Sequence, residues 1–120
     1  MYMDIDKNVL DIEDALDRVQ DDIELLLELF DIFQEDFQVK LPQLKKACQT
    51  ANAEEIRNLA HSVKGAAGNI SAREIQQTCL AIEKKGAEGD MNGLMPLLTG
   101  LDQQFKRFIE AADVFRSQNR

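Results

Sequence analysis

The stretch NLAHSVKGAAGNISA, residues 58–72, holds the chain's single histidine, His61, followed by Lys64, Gly65 and Gly68. An imidazole is a usable nucleophile near neutral pH because its ordinary pKa lies near 6.5. Lys64 stands one helical turn away and supplies positive charge where an anionic group on that imidazole would sit. The segment otherwise reads as helix, in which each glycine costs about 1 kcal/mol against alanine. Two glycines on a solvent-facing side fill no packing need. They make sense where another protein must come close to the imidazole. The combination points to a histidine that carries a phosphoryl group and presents it to a docking partner. The plain alternative, an exposed histidine without a role, leaves the glycines unexplained.

Other chemistries fit poorly. KGAAGN lacks the spacing of a phosphate-binding loop and its following Lys-Ser/Thr, so no nucleotide site is expected. Cys48 and Cys79 lie far apart without CxxC spacing, which argues against a zinc site or redox pair. One histidine and two distant cysteines are a poor basis for any metal centre. Free thiols and no export signal suggest a reducing cytoplasm.

The chain has 120 residues, 44% hydrophobic and 30% charged, the balance of a single globular domain. We expect one domain over 1–120 with its core at about 9–116. Lys and Arg total 14 against 22 Asp and Glu, a net charge of −8. That disfavours nucleic acid, whose phosphates demand a basic patch, and an anionic membrane surface. No apolar run approaches the roughly 20 residues of a membrane span. A folded protein partner is the default that remains.

The elements that must position His61 are helical, since Leu, Ala, Glu, Gln and Lys abound and β-branched runs are few. LDIEDALDRVQ, with an acidic cap at Asp11, predicts a short helix over 11–19. Asp21 and Asp22 cap a long second helix whose apolar stripe is Ile23, Leu26, Phe30, Phe33, Phe37, Leu44 and Cys48. Pro42 is expected to kink or break it near 38–42. Its outer face, with Asp21, Glu24, Glu28, Asp31 and Glu35, reads as solvated. A third helix starts near Glu54, and a fourth runs over about 71–85 with Ile75, Cys79 and Ile82 inward. Gly86 and Gly89 are expected to stop the fourth. The last spans about 90–116, with a weak start around Gly93 and Pro96. Its seam is Leu94, Leu97 or Leu98, Leu101, Phe105, Phe108, Ala112 and Phe115. The fold class that follows is all-α, an antiparallel four-helix bundle with a short extra N-terminal helix over one end.

On the third helix Ile56, Leu59, Val63, Ala66 and Ile70 define the buried stripe. At 100° per residue His61 lies about 180° from its centre, with Gly65 and Gly68 stacked along the same outer face. Arg57, one turn before His61, is a candidate partner contact. Gln76, Glu83 and Lys84 on the fourth helix could lie near the imidazole if the helices pack antiparallel, though plain solvation suits each of them better.

AHSVKGAAGN closely resembles the signature of the histidine-containing phosphotransfer domains of bacterial phosphorelays: a histidine, two variable residues, Lys-Gly, then small residues. LDIEDALDRVQDDIELLLELFDIFQEDF resembles that family's opening helix and long second helix. CLAIEKKGAEGD resembles its passage from the fourth helix into the next loop. The resemblance implies that His61 is the phosphoacceptor, that Lys64 steadies the phosphoryl oxygens and that Gly65 admits the partner. Gly68 and Asn69 fall in the small, polar remainder of the motif, and Ser62 lies on the docking face. Ser71 stands where the family often has glycine, and is expected to serve as an N-cap in a changed turn.

The partners implied are receiver domains of a hybrid sensor kinase or a response regulator. An aspartyl phosphate on one receiver would pass to His61 and then to the aspartate of another. Mg²⁺ would belong to the receiver, with no cofactor in this chain, which is expected to be a monomeric phosphocarrier and not an enzyme. Two rivals stand beside this reading. A sensor-kinase dimerisation domain usually has an acidic residue after its histidine, where this chain has Ser62, and 120 residues leave no room for an ATP-binding domain. A helical interaction module with an inert histidine is the other.

Overall fold

The computed structural model describes residues 4–119, and every regular element in them is helical: α1 (Ile12–Arg18), α2 (Ile23–Gln49), α3 (Ala53–Asn69), α4 (Arg73–Glu88) and α5 (Leu94–Gln118). Three of the five begin at a side chain that satisfies an orphan amide. Asp11 accepts from the Asp14 N–H, Asp22 from Leu25 and Asn52 from Glu55. Helix α4 instead begins at Ala72 without a side-chain cap. Ser71 is therefore not the N-cap expected from its residue type.

Ser71 closes α3, in a turn type that recurs through the chain. After α1, α2, α3 and α4 the chain passes through a left-handed residue: Gln20, Ala51, Ser71 and Gly89, with φ of 55°, 52°, 61° and 67°. The bond pattern repeats as well. After α2, Ala51 N–H donates to the Cys48 carbonyl and Asn52 N–H to that of Ala47; after α3, Ser71 and Ala72 donate to Gly68 and Ala67. This is the Schellman arrangement, which returns the last carbonyls of a helix to hydrogen-bonded partners. Only Gly89 among these residues escapes the Cβ penalty of that conformation. The Ser71 hydroxyl donates to Asp14 of α1. That bond and Arg18 hold the Asp14 carboxyl below the ordinary carboxylate range.

Two expected breaks are absent. Helix α2 runs through Pro42 without interruption. Proline removes one backbone bond, but Pro42 and Gln38 are both exposed, so the freed Gln38 carbonyl faces water. Buried Phe37, Leu41 and Leu44 secure the same stretch against the core. Helix α4 passes Gly86 and ends at Gly89. Gly86 is buried, and a Cβ there would stand 2.8 Å from the Arg57 amide nitrogen and 3.0 Å from the Ala53 carbonyl oxygen. It lets α4 approach the α3 backbone closely, and is not a stop. Helix α5 begins at Leu94, after Gly93 at φ 75°, four residues later than its expected start.

Helix α3 packs on α2 and α4, and α5 closes the ring against the same two. Short turns between neighbours make this an antiparallel four-helix bundle, 44 × 21 × 20 Å. Its centre is aromatic. Phe30 and Phe33 of α2 meet Phe108 of α5 edge-on, and Phe37 stacks on Phe105 with centroids 4.3 Å apart. Helix α1 lies over one end, pinned by Asp11, whose N–H donates to the Ser71 carbonyl and whose carboxylate takes two bonds from Arg73. Ile5 and Val9, ahead of α1, are also buried.

Candidate functional site

The rotation of α3 decides what His61 can reach. Its buried residues are Ile56, Ala60, Val63 and Ala67, whereas Leu59 and Ala66 are only partly covered. The inward stripe is thus turned by about 50° from the one read off the larger side chains. Small residues let α3 and α4 pack closely, so alanines and Gly86 occupy their contact. His61 consequently stands on the flank facing α4, about 130° from the stripe's centre. Its side chain is 70% exposed.

Across that flank Glu83 of α4 meets it. One carboxylate oxygen, Oε2, is hydrogen-bonded to His61 Nδ1, and the other, Oε1, accepts from Lys64 Nζ at 2.6 Å. Lys64 and Glu83 are largely covered, at 25% and 17% side-chain exposure, so the imidazole is the accessible member of the three. The Lys64 hydrogen bond, with a smaller contribution from His61, holds the Glu83 carboxyl below the usual range against the opposing effect of burial. One turn beneath, burial and the Glu83 charge push the Cys79 thiol up to about 12, leaving it protonated and unreactive.

An ionised Glu83 can only accept, so Nδ1 carries the proton of a neutral imidazole. Nε2 then holds the lone pair and has no intramolecular partner among the described residues. Beside the ring lies an open cavity of about 310 Å³ lined by Arg57, Asn58, His61 and Glu83.

The remaining candidates separate around this centre. Gly65 faces outward, and a Cβ there would meet nothing within 4 Å. Gly68 is not bare surface as expected, because the Gln76 amide of α4 lies over it, 2.9 Å from where a Cβ would stand. Ser62 turns to the opposite flank, where its hydroxyl accepts from Lys40 of α2 at 2.6 Å. Lys84 joins none of these contacts. Beyond Gly65, an apolar groove of about 270 Å³ runs between α2 and α3 past Leu29, Ile32, Phe33, Ala66 and Ile70. Ile32 is 54% exposed, so the outer face of α2 is less polar than its carboxylates suggested.

Sequence reasoning undervalued Glu83. Its contact spans 22 positions and two helices, and the only local signal was its place one turn after the inward Cys79.

No helix among the described residues is long and apolar enough to cross a membrane. A search of curated proteins finds no match. Among solved structures, the crystal structure of histidine-containing phosphotransfer protein B from Pseudomonas aeruginosa PAO1 superimposes with a TM-score of 0.77 at 25% identity, covering 92% of this chain and 93% of that one. The family model of the Hpt domain matches residues 28–113, a span that takes in α3, α4 and the whole of the His61–Glu83–Lys64 cluster. The chain therefore belongs to the Hpt family, the histidine phosphotransfer domains of phosphorelays.

Proposed function

We propose that His61 takes a phosphoryl group on Nε2 from the aspartyl phosphate of a receiver domain and yields it to the aspartate of another. The observation that carries this reading is the bond between His61 Nδ1 and Glu83. It favours the tautomer whose lone pair sits on Nε2, which has no partner among the described residues. In the forward step the Nε2 pair attacks phosphorus in line. The P–O bond to the receiver's aspartate breaks, and that carboxylate leaves with the bonding pair. The ring keeps its Nδ1 proton and becomes a phosphoimidazolium, whose positive charge lies against the Glu83 carboxylate. No proton need leave the site, so the reverse transfer to a second receiver is open.

Phosphoryl transfer depends mainly on positioning and charge neutralisation. Lys64 serves here as the counter-charge that keeps Glu83 ionised and in place. Mg²⁺ and the other catalytic groups are assigned to the receiver, which makes this chain a phosphocarrier without a cofactor of its own. Gly65 leaves room for the receiver to approach, the groove beside Ile32 offers it apolar surface, and Ser62 is the exposed polar residue of the same helix beside His61. We assign the whole chain to one such domain, working in the cytoplasm as a monomer.

Histidine is present once, so ¹⁵N labelling of that residue type reports on His61 alone. After charging, phosphorus coupling is expected at Nε2, with the proton retained on Nδ1. Phosphorus on Nδ1, or none on the ring, would overturn the assignment.

A further inference from the structure

Charge is unevenly distributed around His61. Lys64 is the cation the motif offers for a phosphoryl group, yet its ammonium is engaged by Glu83 at 2.6 Å. With the imidazole neutral, Glu83 and Lys64 cancel. Arg57 stands one turn before His61 on the same flank of α3 and lines the same cavity. Its side chain is exposed, and its guanidinium has no ion-pair partner among the described residues. It is therefore the uncommitted positive charge of the cavity. A guanidinium offers a fork of N–H donors suited to phosphate oxygens. The cavity of about 310 Å³ leaves space for a phosphoryl group between Arg57 and the ring, and Asn58 adds an amide at its edge.

We infer that Arg57 holds the phosphoryl oxygens of phospho-His61 in the charged carrier, between the arrival of the group and its departure. Lys64 acts through Glu83, whereas Arg57 touches the cargo. This rests on His61 being the phosphoacceptor. It differs from a partner-contact role for Arg57 in requiring no receiver to be present.

The test uses the whole chain without a receiver, charged with phosphoramidate and followed by ³¹P resonance as pH is varied. A cation within contact distance favours the dianion, so it lowers the second ionisation of the phosphoryl group. Arg57→Ala is expected to raise that midpoint by about half a pH unit or more. Arg57→Lys, which keeps the charge, is expected to return most of the shift. A midpoint unchanged in Arg57→Ala, or a shift that Arg57→Lys leaves in full, overturns the inference while phosphohistidine still forms. If no phosphohistidine resonance forms in the wild type, the failure lies with the assignment of His61 instead.

Discussion

At the scale of single residues, the site is a division of labour among three side chains from two helices. In the proposed mechanism His61 supplies the lone pair, while its bond to Glu83 selects the nitrogen that bears it and the Lys64 bond favours an ionised Glu83. A hydrogen bond to a charged acceptor is roughly twice as strong as one between neutral groups. Glu83→Gln keeps an acceptor for Nδ1–H but loses the charge that offsets the phosphoimidazolium. We expect it to slow phosphorylation by phosphoramidate about tenfold, the rate equivalent of roughly 1.4 kcal/mol, with the helical circular dichroism unchanged. An unaltered rate would mean that Glu83 only packs against the ring. The asymmetry in what the sequence disclosed also belongs here. His61, Lys64 and Gly65 were legible because they share one turn of one helix. Glu83 was not, since its proximity depends on how far α3 is rotated. That rotation is set by Ala60 and Ala67, whose small side chains carry little hydrophobic signal.

At the scale of elements, composition alone was enough to forecast helices, and the apolar spacing located all five. The errors lie at the ends and at the breakers. Pro42 interrupts nothing because its lost bond is on the wet side of α2, and Gly86 continues α4 because it serves the contact with Arg57 and Ala53. Three of the four Schellman turns lack glycine at the left-handed position, so the usual stop signal was missing where the helices stop. Ala51 is the plainest case, as it is exposed and its side chain takes no part in the turn. Ala51→Gly is expected to stabilise the fold by roughly 0.5–1 kcal/mol, because relief of the Cβ strain exceeds the added entropy of the unfolded chain. Urea unfolding should show a higher midpoint at constant slope. A lower midpoint would indicate that the turn carries no strain.

At the scale of the whole molecule, the bundle holds the His61 ring at mid-helix on an exposed flank. The aromatic contacts of α2 with α5 sit in the core behind it, and α1 closes one end through Asp11, Asp14, Ser71 and Arg73. The proposed function makes this molecule a carrier that is charged and discharged by other proteins. That claim is tested most directly by a relay in solution. A receiver bearing radiolabelled phosphate is mixed with the wild type or with His61→Gln, and a second receiver is then added. The account predicts acid-labile, base-stable label on the wild type alone, followed by its passage to the second receiver. Label on His61→Gln, or none on either protein, would contradict it.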